Sequence, residues 1–191
     1  MHKHYWSILM DVFRLSGSLL NQKVMSLRTG GQVATVTAAI INPNNLKVEG
    51  FYCEDKFEKK QQVVLLYQDI RDIVPQGVVV NDHDVLTPPH ELIRLKDIMA
   101  LGFELIGKPV VSDSKKRIGK VNDYAIETET MFIQKLYVSQ SLVKSFSGGS
   151  LSVDRGQIVE ITSRKIVIQD PQKPVVETEA QPVIAPALPA T

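Results

Sequence analysis

The chain has a single cysteine, Cys53, in 191 residues. A lone thiol excludes an intrachain disulfide and any multi-cysteine zinc site. It suits a reducing cytoplasm, where we expect the protein to reside. Long hydrophobic runs are also lacking. Stretches such as Val63–Tyr67 and Ala38–Ile41 fall far short of the roughly 20 apolar residues a spanning helix needs. Charge of one sign does not dominate either: 22 Lys plus Arg face 21 Asp plus Glu, a formal net charge of +1. That removes any whole-chain pull toward nucleic acid or anionic membrane. No GxGxxG, Walker loop, GxSxG or HExxH occurs, so no phosphate cradle, nucleophile elbow or zincin helix is written locally. We therefore expect no enzyme, no cofactor and no metal. What is present, 43% apolar and 23% charged residues, describes an ordinary globular chain.

The N-terminus is apolar, with Tyr5, Trp6, Ile8, Leu9, Met10, Val12 and Phe13. Asp11 and Arg14 interrupt it too early for a signal-peptide core, and no small-residue cleavage site follows. Trp6, Leu9, Met10 and Phe13 form a stripe at helical spacing, so residues 1–18 are expected to be a helix packed on the mature fold.

The chain contains itself twice. Leu19–Ser26 aligns with Leu105–Ser112 at an offset of 86, and Gln32–Val36 with Arg117–Val121 at 85. Asp69–Ile73 then falls over Gln157–Ile161, and Val78–Asp82 over Ile166–Asp170, at 88. The apolar positions keep step, and the offset changes fall in turn-like stretches. Upstream, Leu9, Asp11 and Leu15 lie over Leu95, Asp97 and Leu101. The unit is thus a helix followed by a β-rich module, used twice.

The second unit reads most clearly. After Pro88-Pro89, the residues Leu92, Leu95, Ile98 and Met99 make a helical stripe, and Gly102 ends it. Lys108–Val111, Ile118–Ile126, Met131–Val138, Leu151–Val153, Gln157–Thr162 and Ile166–Ile168 read as strands, with Gly119 marking a bulge. Six short strands with close turns predict a small antiparallel barrel. After Asp170 half of the ten prolines crowd into a stretch without periodicity, the composition of a disordered tail.

Leu105-Ile106-Gly107-Lys108-Pro109-Val110, then Ile118-Gly119-Lys120-Val121-Asn122-Asp123, Leu136-Tyr137-Val138 and the closing Ile158–Ile161 and Ile166–Ile168 resemble the PRC-barrel family. In the first unit Asn21 stands where that family has Gly, and Ala34 replaces the Gly of its "iGkV" turn. The resemblance implies a mainly β protein with short helices: two tandem antiparallel barrels, each preceded by a short helix. The expected division is a helix over 1–18, modules over 19–88 and 105–170, a linker helix over 89–104 and a tail over 171–191. PRC-barrels occur in the cytoplasmic part of the photosynthetic reaction centre H subunit and in the ribosome maturation factor. In both the barrel docks or assembles. The resemblance thus implies a binding or scaffold role with a protein partner, or alternatively association with RNA or a ribosomal subunit.

Four places carry candidate chemistry. Asp82-His83-Asp84 with His90 has side chains suited to a metal or to proton transfer, but its position before Pro88-Pro89 reads as a turn-forming linker. His2 and His4 form a second, incidental pair. Cys53 follows the Phe51-Tyr52 strand and reads as a structural thiol. Lys115, Lys116, Arg117 and Lys120 make a basic edge on a module carrying ten Lys/Arg against seven Asp/Glu, whereas Leu19–Pro88 has seven against eight. Such an edge can contact RNA phosphates or a partner, although no aromatic residues interleave it.

Overall fold

A computed structural model describes residues 13–58, 61–140 and 150–170. Most of the expected N-terminal helix, the His2/His4 pair and the tail over 171–191 lie outside the described residues.

The chain is mainly β, as the alternating apolar residues predict. In order come β1 (Phe13–Leu15), a helical turn α1 (Ser16–Leu19), β2 (Lys23–Ser26), β3 (Gln32–Asn42), β4 (Lys47–Asp55), β5 (Gln62–Leu66), β6 (Ile70–Val74), β7 (Gly77–Val80) and β8 (Leu86–Thr87). The short helix α2 (Lys96–Ala100) precedes β9 (Pro109–Ser112), β10 (Arg117–Glu127), β11 (Ile133–Gln140), β12 (Ser150–Asp154), β13 (Ile158–Ile161) and β14 (Ile166–Ile168).

Two sheets result. The first has the order β6-β7-β2-β3-β4-β5-β8 and the second β12-β11-β10-β9-β14-β13, with β1 added on β10. Read from the opposite edge, the second order matches the first strand for strand from β6 to β5. The sequence repeat is therefore a repeat of topology. Not every pairing is antiparallel: β2 runs parallel to β7, and β9 to β14. The meander between the two partners serves as the crossover that a parallel pair requires.

The repeat extends to single torsions. Asn21 and Gly107 both adopt left-handed backbone, with φ of 61° and 78°. Their N–H groups donate to the matching carbonyls of Val36 and Val121, at 2.9 and 2.7 Å. Asn is among the few residues with a side chain that take this conformation routinely, so it replaces Gly at little cost. Gly119 lies beside a register shift between β10 and β9, as expected for a bulge.

The two sheets meet through equivalent hairpin turns. Leu46 and Met131, 85 positions apart, have φ of 52° and 60° and are buried. The Val48 N–H donates to the Met131 carbonyl at 2.8 Å, and the Ile133 N–H to the Leu46 carbonyl at 2.9 Å. Exchanging the copies maps one bond onto the other, the self-complementary relation of a two-fold contact. Left-handed backbone costs a branched or long residue about 1–2 kcal/mol, and burial of its side chain offsets this by about 1.5–3 kcal/mol. Arg155 Nη2 also crosses the junction, donating to the Asn45 carbonyl at 2.7 Å. Buried residues from both sheets form one continuous core cluster.

Two helix expectations are corrected. Phe13–Leu15 is a strand, pairing with Ala125–Glu127, and helical backbone begins only at Ser16, in the short turn Ser16–Leu19. β10 is long, and β9 covers only its Arg117–Lys120 end. The backbone groups farther along need partners, and β1 supplies them. The linker is not one helix either. Pro89–Glu91 and Ile93–Leu95 form separate 3-10 turns, and α2 spans only Lys96–Ala100. Leu92, at φ −86° and ψ 69°, breaks the ladder between the turns. Gly102, at φ 52°, ends α2 as expected. α2 packs against β3 of the first sheet, as β1 packs on β10 of the second. Each unit's leading segment thus lies on the other unit's longest strand or its counterpart.

Candidate functional site

An open groove of about 510 Å³ lies against the first sheet. Its floor is Glu49 on β4 with Leu66, Tyr67 and Gln68 at the end of β5, and its wall is the linker from Glu91 to Leu95. The two 3-10 turns of the linker leave Ile93 83% exposed. The groove is apolar at Leu66, Tyr67, Leu92, Ile93 and Leu95, and carries Glu49, Glu91 and Arg94. An apolar concavity with a few charged groups suits an extended or turn-like ligand segment. Lys47 Nζ sits 3.8 Å above the Tyr67 ring and 5.7 Å from that of Phe132, and the Arg155 guanidinium lies 4.5 Å from the Phe132 ring. This alternation of cations and rings ties one end of the groove to the sheet junction. Sequence reasoning missed the groove because three separate elements build it. The only signal was the apolar linker, which was read as a helix stripe.

The Asp82-His83-Asp84 stretch is divided between two jobs. Asp82 accepts a hydrogen bond from Ser26 Oγ at 3.0 Å and pairs with Arg28 at 2.9 Å. The backbone hydrogen bond from His83, followed by Ser26 and Arg28, holds its carboxyl below the usual range against a smaller desolvation penalty. His83 Nε2 lies 2.6 Å from Asp55 Oδ2, and its ring meets Phe57 edge-on at 5.2 Å. Asp55 is 4% exposed. Burial opposes its ionisation, but hydrogen bonds from the Glu58 N–H, His83 and the Phe57 N–H outweigh this and lower its pKa. The Asp55 carboxylate therefore knots the β4–β5 loop to the segment after β7. His90 is not part of this cluster; it stands beside Glu91 at 3.9 Å. No group of three or more His, Cys, Asp or Glu suited to a metal occurs among the described residues.

Cys53 is fully buried, and burial pushes its thiol up to about 12. A thiol so protonated is a poor nucleophile at neutral pH.

The basic edge resolves into unequal parts. Lys116 pairs with buried Asp170 at 3.5 Å, and Ser114 Oγ donates to the same carboxylate at 2.6 Å. Asp170 is the repeat partner of Asp82, so Lys116 acts as Arg28 does in the first unit, holding the turn after the first strand to the end of the last. Lys115, at φ 64°, occupies the left-handed corner of that turn, and Arg117 and Lys120 are exposed at the start of β10.

Compared with known proteins, the chain matches no family model and no curated protein. No helix among the described residues is long and apolar enough to cross a membrane.

Proposed function

We propose that the protein is a non-enzymatic docking module in which two PRC-type barrels hold one binding groove in a fixed position. The groove between β4, β5 and the linker carries the reading: it is open, apolar and braced by the sheet junction. The apolar lining favours a partner segment with an apolar core. The partner is a protein, and the site of action is the cytoplasm. The test is affinity capture from native extract with the full chain, beside the Ile93→Asp and Tyr67→Ala variants. A defined partner set retained by the wild type and lost by both variants supports the reading. A partner set unchanged by either variant refutes it.

A second reading rests on Lys115, Arg117 and Lys120, whose exposed charges at one end of β10 suit RNA phosphates or a ribosomal surface. It predicts ribosomal proteins that leave the captured set after nuclease treatment, and salt-sensitive binding weakened by Arg117→Ala with Lys120→Ala. RNA binding that is absent at low salt refutes it.

A further inference from the structure

The two units share a fold but not a charge. In the second unit β10, β9 and β14 lie side by side, and their outward residues form rows. Lys120 stands opposite Pro109, and Ile166 pairs with Val110, which sets Lys165 beside Pro109. Gly119, Val121, Val110 and Ile166 are buried, whereas Lys120, Pro109 and Lys165 are exposed. The two lysines therefore flank a proline on the outer wall, two strand spacings or about 10 Å apart. Arg117, opposite Val111, begins the next row, which runs through Val167 to Glu160. Two more cations join at the side. Lys108 Nζ donates to the Ser163 carbonyl at 2.8 Å, in the turn between β13 and β14, and Arg164 is exposed in the same turn.

The fold does not require these charges. At the positions of Lys108, Arg117, Lys120, Arg164 and Lys165 the first unit has Gln22, Gln32, Thr35, Gln76 and Gly77, and Lys23 stands at the place of Pro109. The same strand order forms around those uncharged residues. Cations spread over a wall suit a polymer whose charge repeats. Between them lie Pro109, Val111 and Val167, not aromatic rings, so the wall has no platform on which unpaired bases could stack. An RNA helix, recognised by shape and phosphates, needs none. The two valines are half-buried and offer a bilayer little to insert.

We propose, on the basis of the RNA reading above, that the outer wall of β9, β10 and β14 binds an RNA helix through its phosphates, without reading bases. Lys108, Arg164 and Lys165 extend the site from the end of β10 across to the β13–β14 turn.

Fluorescence anisotropy of the full chain with a labelled RNA duplex of about 20 base pairs, beside a single strand of the same length, tests this. The duplex should bind more tightly, and its affinity should fall about 100-fold or more between roughly 50 and 200 mM salt. Lys108→Gln, Arg164→Gln and Lys165→Gln together should weaken duplex binding about tenfold or more and reduce the salt slope by about 3. Lys108→Arg with Lys165→Arg should retain it. Duplex binding that survives the triple glutamine variant but is lost with Arg117→Ala and Lys120→Ala overturns the extended wall and leaves the RNA reading standing. A single strand bound as tightly as the duplex overturns the helix assignment alone. Absence of RNA binding at low salt overturns both, as does binding only to phosphatidylserine vesicles or to polyglutamate.

Discussion

Replacing Gly119 by alanine probes the bulge that joins β9, β10 and β11. A methyl at this position would overlap the Ser139 carbonyl oxygen and lie 2.9 Å from its carbon and 3.0 Å from Val138 Cγ1. The obstacle is the backbone of the adjacent strand, so no side-chain rotation relieves it. Overpacking a tight site costs about 1–3 kcal/mol, and parting β10 from β11 locally forfeits a ladder hydrogen bond of about 1 kcal/mol. Relief of the glycine's backbone entropy returns about 0.5–1 kcal/mol. The expected net loss is about 2 kcal/mol, equivalent to roughly 4–8 °C in Tm for a chain of this size. Ala34, fully buried at the equivalent point of the first sheet, is the control. Ala34→Gly removes one methyl and adds chain entropy, with no clash, for about 1–2 kcal/mol. Urea unfolding followed by far-UV circular dichroism measures both. Gly119→Ala within about 0.5 kcal/mol of the wild type, the range of an indifferent surface change, would refute the steric argument.

The Asp55 pKa is lowered on folding, so its contribution is complete above the ordinary carboxylate pKa of about 4 and disappears as pH falls through the lower folded value. Stability should therefore decline below about pH 4, and Asp55→Asn should flatten that decline in acid titrations of the unfolding free energy. At the junction, Leu46→Ala should cost about 2–5 kcal/mol and should turn one cooperative unfolding transition into two, seen by calorimetry. Cys53, with its thiol near 12, should resist iodoacetamide at pH 8 in the native protein and react only when urea unfolds it; rapid native labelling, followed by mass spectrometry, would contradict its burial. The exposed Lys135–Asp154 pair, at 2.6 Å and with side chains 42% and 62% exposed, should add less than about 1 kcal/mol, read from the stability of Lys135→Ala.

The strands of the second sheet were legible because they are short apolar or alternating runs bounded by turn residues, a signal that needs no tertiary information. Expected Ile118–Ile126 became Arg117–Glu127, and Ile166–Ile168 kept its bounds. The Met131 end was misread as strand because its apolar side chain fits the pattern, whereas its backbone turns left-handed to reach Leu46. Asn21 in place of glycine looked like a departure until its φ showed the same turn. What could not be read was every relation between distant segments. The edge of β10 decides the fate of Phe13–Leu15, and the linker's stripe gave no sign of the break at Leu92. His83 was singled out beside Asp82 and Asp84, but its partner Asp55 lies on β4. Local composition carries no record of such a pairing.

β1 also imposes an order on biosynthesis. Its partners, Ala125–Glu127, are translated long after Phe13–Leu15, by roughly 6–22 s at the usual 5–20 residues per second. During that interval the first sheet can form, since its last strand ends at Thr87, but the leading segment has nothing to pair with. Phe13 and Leu15 then wait on the nascent chain as an unsatisfied strand, open to chaperones and to neighbouring chains on the same polysome. Attachment of the start of the chain to β10 is thus a late event that fastens the second sheet to the first, and a slow codon after residue 127 would lengthen the time available for it.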